Sequence, residues 1–194
     1  MRVKLFLYIV ASIELLRGVI LFLQYKMLGV KFSSGKALRI SAGTSFRVYN
    51  KKASIRFGKN NYIRKSCSVV VGDGVLKIGD NFFMNNFSSV NCFGVIEIGN
   101  DCLIGEGVRL YDHNYDYRSA ENLPLNKKGH RKGFISIGNN CWLGTNTVVL
   151  MDVKIGNNVI IGANNLVYKD VPDNSIILAK QDPVIRAYKT GEQE

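Results

Sequence analysis

The sequence predicts an all-β chain, a parallel β-helix wound from six-residue repeats, with one amphipathic α-helix ahead of it at residues 1–30. Three observations carry that fold class. From residue 57 an aliphatic or aromatic side chain recurs every six residues, which is neither the 3.6 of a helix nor the 2 of a strand. Short runs of Gly, Asp and Asn follow many of these positions, as tight corners require. The chain has 194 residues, 46% apolar and 21% charged, enough for one domain with a sizeable core and too apolar for wholesale disorder.

The first element is the stretch at residues 5–23, LFLYIVASIELLRGVILFL. Glu14 and Arg17 divide it into uncharged runs well short of the roughly 18–20 residues that span a bilayer, so a simple transmembrane helix is not expected. No small-x-small cleavage site follows it, which argues against a signal peptide. At about 100° per residue, Glu14, Arg17, Gly18, Gln24 and Tyr25 share an arc of roughly 120°, and the opposite face is apolar. The pattern predicts a helix over about residues 2–28. It has two compatible uses: lying in a membrane interface with Arg2, Lys4, Lys26 and Lys31 near anionic headgroups, each worth about 1 kcal/mol, or covering the open end of the domain or an oligomer contact.

Charge supports an anionic partner near this end. The formal charge of +11 is uneven, with residues 1–72 holding 14 Lys or Arg and the single acid Glu14, and residues 73–194 holding 12 basic and 14 acidic side chains. A membrane surface, an anionic substrate and nucleic acid all fit a basic third, but the basic residues form no recognisable nucleic-acid motif, which puts that partner last. The four cysteines, Cys67, Cys92, Cys102 and Cys141, show no CxxC or zinc-ligand spacing, and His113 and His130 are too few for a three-His metal site. Buried thiols in a reducing compartment are expected, and no metal.

The repeat itself occupies residues 31–181. Its hexads begin at Phe57, Ile63, Val69; Ile78, Met84, Val90; Ile98, Ile104, Leu110; Ile137, Leu143, Val149; and Ile155, Ile161, Val167, with weaker members at Ile40 and Phe46. IGDN at 78, IGND at 98 and IGNN at 137 and 155 supply Gly, Asp and Asn for left-handed corner angles. Three flat faces and three corners make an 18-residue coil. Coils stacked about 4.8 Å apart pair as parallel strands and line the apolar positions into one core. Cys67, Cys102 and Cys141 each hold the fifth place of a hexad and read as small core residues.

Between Leu110 and Ile137 the repeat breaks for a polar loop, about residues 111–135, too long for a corner. His113 stands at its root, and an imidazole titrating near neutrality suits proton removal from a hydroxyl. Asp112 adjoins it, although neighbours on a strand point oppositely; Asp116 and Glu106 are the other carboxylates available to orient the ring. His130, in KKGHRKG, reads as a solvated loop residue.

The stretch GFISIGNNCWLGTNTVVLMDVKIGNNVIIGANNLVYKDVPDNSIILAKQDPVIR, residues 133–186, resembles the hexapeptide-repeat acyltransferases, and the likeness extends over about residues 57–186. It is similar to galactoside, maltose and colanic-acid-type acetyltransferases. The resemblance implies a left-handed winding, which periodicity does not supply and which runs against the usual right-handed crossover. It implies that His113 is the general base, with DHN at 112–114 looking like the polysaccharide-modifying branch. Asn85, in IGDNFFMNN, matches an acceptor-contacting asparagine, and Trp142 a tryptophan of the cleft. Acetyl-CoA is implied as acyl donor, with Thr145, Ala163, Lys169 and Arg186 matching its contacts. In AKQDPVIR, Ala179 and Pro183 depart from the family's glycine and basic residue, and Met151-Asp152 replaces a Pro-Gly corner.

By that resemblance the chain is expected to be a homotrimeric O-acetyltransferase acting on a sugar hydroxyl of a bacterial surface polysaccharide or its lipid-linked precursor. An N-acyltransferase of a nucleotide-linked amino sugar and a noncatalytic basic β-helical binding protein are the alternatives. The expected location is cytoplasmic, peripheral on the membrane's inner face. Residues 182–194 are read as a short C-terminal helix or tail.

Overall fold

The computed structural model describes residues 2–119 and 122–179. A 26-residue helix, α1 (Arg2–Met27), precedes a left-handed parallel β-helix of triangular section. Three parallel sheets form its faces, and neighbouring strands on each face come from successive coils. On the first face Phe57, Ile78, Ile98, Ile137 and Ile155 stand in register. The second aligns Ile63, Met84, Ile104, Leu143 and Ile161, and the third Val69, Val90, Leu110, Val149 and Val167. All fifteen are buried, as are the four cysteines, none of them in a disulfide.

A sixth coil comes first. Ile40 pairs with Ile63 and Phe46 with Val69, so these weaker hexads are real members. The first-face slot of that coil is Ser34, opposite Phe57, while buried Phe32 fills the core beside it; the apolar rule fails there, which hides this coil in the sequence.

The corners divide their labour differently from the expectation. Left-handed angles fall on the fourth hexad residue: Asn60, Asn81, Asp101, Asn140, Asn158 and Asn174 all have φ between 54° and 59°. The preceding glycines have ordinary angles and serve close stacking instead. A Cβ on Gly79 would lie 2.6 Å from the carbonyl oxygen of Gly99 in the next coil.

Helix α1 lies across the first two coils by a mixed face, with Glu14, Gly18 and Tyr25 buried and Leu15, Leu21 and Phe22 half-buried, while Arg17 and Gln24 of the expected polar arc are exposed, as is an apolar ridge on the far side. Glu14 is buried, and its carboxylate accepts hydrogen bonds from Arg39, Ser41 and Tyr62. Gly18 allows the close approach, since a Cβ there would meet the Leu38 carbonyl at 2.1 Å. The Tyr25 hydroxyl donates to the Phe46 carbonyl at 2.8 Å, and its ring stacks on Phe32. Val3–Met27 is long and apolar enough to cross a membrane, although Glu14 and Arg17 interrupt it; the Glu14 charge is absorbed by the coil.

Burial alone would push the Glu14 carboxyl up, but the hydrogen bonds from Ser41, Arg39 and Tyr62 outweigh it and hold the group below the usual range. A depressed carboxyl stabilises the fold at neutral pH and loses that effect as pH falls through its titration. Glu14→Gln is therefore expected to lower stability by roughly 1–3 kcal/mol at pH 7. The gap between the two unfolding midpoints should narrow as pH falls through the depressed Glu14 titration; a gap that does not change on acidification would remove the charge from the account.

Candidate active site

The chemistry gathers at the corner between the third and first faces. In the fourth coil the strand Arg109–Tyr111 ends there, and the chain leaves as an antiparallel pair, His113–Tyr115 against His130–Lys132. It returns through Gly133, whose N–H donates to the Asp112 carbonyl at 2.7 Å. Gly94 lies directly beneath, where a Cβ would stand 2.0 Å from the Gly133 carbonyl, so the root of the pair needs glycine. Two ion pairs fasten the excursion to the coil: Lys132 to Asp73 at 2.6 Å and Arg131 to Asp152 at 2.7 Å. The Lys132 hydrogen bond holds the Asp73 carboxyl below its ordinary value.

Asp112, not the more distant carboxylates, faces the histidine. It is fully buried, its oxygens accept the backbone N–H groups of Phe93 and Gly94 at 2.8 Å each, and Oδ1 stands 3.2 Å from His113 Nδ1. The alternation argument fails because the strand ends at Tyr111, and the bend beyond it brings both side chains to one side. Glu106 instead accepts from Asn86, and the Asp116 carbonyl accepts from the Ser119 hydroxyl. With Nδ1–H donated to Asp112, the lone pair of His113 falls on Nε2, the arrangement a general base needs.

Two further aromatic groups complete the site. The Phe93 ring lies 4.2 Å from His113 and 5.0 Å from His130, and the two imidazoles are 5.2 Å apart. His130 is exposed, as the sequence predicts for a loop residue, yet its ring also stands beside the candidate base. Desolvation, with His113 and Lys132 close behind, pushes its pKa down. A cleft of about 430 Å³ opens over His113, lined also by Tyr111, Tyr115, Leu150 and Met151. The sequence does not mark Phe93, His130 or Met151 as site residues, naming His130 only as a loop residue and Met151 only as a corner departure. The available signal was position, since Phe93 and Met151 sit at the same corner as His113 in the coils on either side.

The other candidates lie elsewhere on the prism. Asn85 is at the corner between second and third faces, its side-chain oxygen accepting from Arg64 at 3.2 Å and from the Asn86 N–H at 2.9 Å. Thr145 and Ala163 are exposed on that same edge in the last two full coils, where the Asn164 N–H donates to the Thr145 carbonyl. Trp142 is half exposed on the second face, in register with Leu103 and Ile160. Lys169 is on the His113 edge of the last coil, 5.5 Å from the Tyr168 ring. Among the described residues no hydrogen bond joins Asn85 or Trp142 to His113. Arg186 and the expected tail lie outside the described residues, as does Pro183.

The sequence model of the bacterial transferase hexapeptide (six repeats) matches residues 134–169. A putative lipopolysaccharide biosynthesis O-acetyl transferase of Escherichia coli K12 is 32% identical over 142 residues, covering 70% of this chain and 72% of that protein. The chain belongs to the hexapeptide-repeat transferase family. This transferase is also 23% identical to a probable acetyltransferase of Mycobacterium tuberculosis over 84% of its length, spanning 54% of that relative. Its fold matches that of AntD, an N-acyltransferase of Bacillus cereus solved with dTDP and coenzyme A, at a TM-score of 0.61 and 22% identity, covering 86% and 89% of the two chains.

Proposed function

We propose that the chain transfers an acetyl group from acetyl-CoA to a hydroxyl of a saccharide, within a bacterial surface polysaccharide or its lipid-linked precursor. The observation that carries this reading is the buried Asp112 carboxylate against His113 Nδ1 at the mouth of the cleft. It leaves Nε2 to take the hydroxyl proton while the oxygen attacks the thioester carbonyl. The C–S bond breaks, and the thiolate leaves with the proton returned by the imidazolium. The relative named for lipopolysaccharide O-acetylation supports the acceptor class.

The site is completed by a neighbouring copy. Asn85, Thr145 and Ala163 stand on one edge of the prism and His113, Met151 and Lys169 on another, so a single groove uses both sets only where two chains meet. An outward column on the second face, Phe83, Leu103, Trp142, Ile160 and Ile176, offers an apolar surface for that contact. A threefold assembly supplies three such junctions.

The test is incubation of the purified chain with acetyl-CoA and a panel of saccharide acceptors, with an amino-sugar nucleotide in parallel. Mass spectrometry is expected to find one acetyl increment on a hydroxyl, matched by free thiol. Acetylation confined to the amine of the amino-sugar nucleotide, or no acetylation at all, would reject the reading.

A further inference from the structure

Helix α1 packs Leu21 and Phe22 on the coil and turns the rest of its apolar surface away. Leu5, Ile9, Leu16, Ile20, Leu23 and Met27 fall on one ridge along its length, and all are exposed. The only polar residue on that ridge is Ser12, whose hydroxyl is already satisfied by the Tyr8 carbonyl at 2.9 Å. At the N-terminal end residues 3–9 are exposed on every side, beyond the reach of the coil. A ridge this long and dry is unusual on a surface that meets only water.

The charges around it decide what covers it. Lys4, Arg17 and Lys26 flank the ridge, and Lys31, Lys36, Arg47, Lys51, Lys52 and Lys59 ring the first two coils, all exposed. None of these nine has a salt-bridge partner among the described residues. A second copy placed on this helix would bring two such basic rings together, whereas an anionic surface neutralises them. Crossing the bilayer is opposed by Glu14, Gly18 and Tyr25, which tie the middle and end of the helix to the body.

We infer that α1 lies in the plane of one leaflet of an anionic membrane, ridge inward, and holds the β-helix upright on that surface as a one-sided anchor. The binding is independent of the transfer reading. Combined with that reading, it places His113 three coil steps, about 14 Å, beyond the coil that meets the membrane, which suits an acceptor carried on a lipid.

The experiment uses the full chain and vesicles of phosphatidylcholine, with or without one quarter phosphatidylglycerol. Flotation is expected to be at least about tenfold stronger with the anionic lipid at 0.1 M salt and to weaken at 1 M. Leu16→Glu with Ile20→Glu, both on the outward ridge, should reduce flotation at least about tenfold while the unfolding midpoint stays put. Val3→Cys, introduced against four buried native thiols, should react with an impermeant maleimide added outside intact vesicles. Three results would overturn the inference: no preference for the anionic vesicles, labelling of Val3→Cys only after the vesicles are opened, or a lipid-free oligomer that the double substitution dissolves. Because flotation needs no acceptor or acetyl-CoA, its failure and a failure of acetyl transfer are separate outcomes.

Discussion

His113→Ala is expected to lower kcat/KM for acetyl transfer by about 10²–10⁴-fold, the range that a positioned general base supplies. The loss should appear in kcat, because the alanine removes proton transfer while leaving the cleft walls of Tyr111, Tyr115, Leu150 and Met151 in place. The imidazole packs on Phe93 and is not part of the stacked core, so the unfolding midpoint should change little. Acetyl-CoA affinity, measured by calorimetry, should also persist. Near-normal turnover in a folded protein would end the assignment, and His130, 5.2 Å away, would become the next group to replace.

The parts of the structure legible in the sequence are those set by short periods. A six-residue apolar rhythm has one economical realisation, and each of the fifteen hexad positions falls in a core column because parallel stacking copies a local pattern from coil to coil. The first coil was faint because Ser34 breaks the rhythm and Phe32 fills the gap from the neighbouring inward position. The corner glycines were legible as corners, but their reason was not. Their role is contact between coils, which appears only once the coils are stacked.

The site was legible where one residue type suffices and opaque where geometry chooses among equals. His113 stood out as an imidazole at the root of an interruption. Which carboxylate orients it depended on the bend after Tyr111, and no alternation rule describes a strand that has ended. His130 lies seventeen residues further on and reaches the site only because its strand pairs back on His113–Tyr115, an antiparallel contact that the parallel repeat gives no hint of. The helix followed the same logic. Its expected polar arc does not survive as one face: Glu14, partnered by Arg39, Ser41 and Tyr62, is buried beside half-buried Leu21 and Phe22, whereas Arg17 and Gln24 stay in solvent.

Asp112 carries a catalytic contact and two structural ones, and two substitutions weigh them differently. In Asp112→Asn a single amide oxygen replaces two acceptors: at the Oδ2 position it still accepts from the Gly94 N–H, while the amide nitrogen at the Oδ1 position faces both His113 Nδ1 and the Phe93 N–H, so one backbone donor loses its acceptor. The amide nitrogen, turned toward His113, would require Nδ1 to accept, which puts the proton on Nε2 and removes the base. Loss of about 10²–10⁴-fold in kcat is expected, with acetyl-CoA affinity retained and stability lowered by the one unpaired N–H, about 1–3 kcal/mol. Asp112→Ala should suffer the same kinetic loss and also leave two buried N–H groups without an acceptor, at about 1–3 kcal/mol each. The contrast between the two substitutions is the diagnostic. If both merely lower stability and leave kcat intact, the carboxylate is only a corner clamp. Asp116→Ala and Glu106→Ala, neither of which has a side-chain contact with His113 among the described residues, should leave kcat unchanged, and a loss at either would move the orienting role away from Asp112.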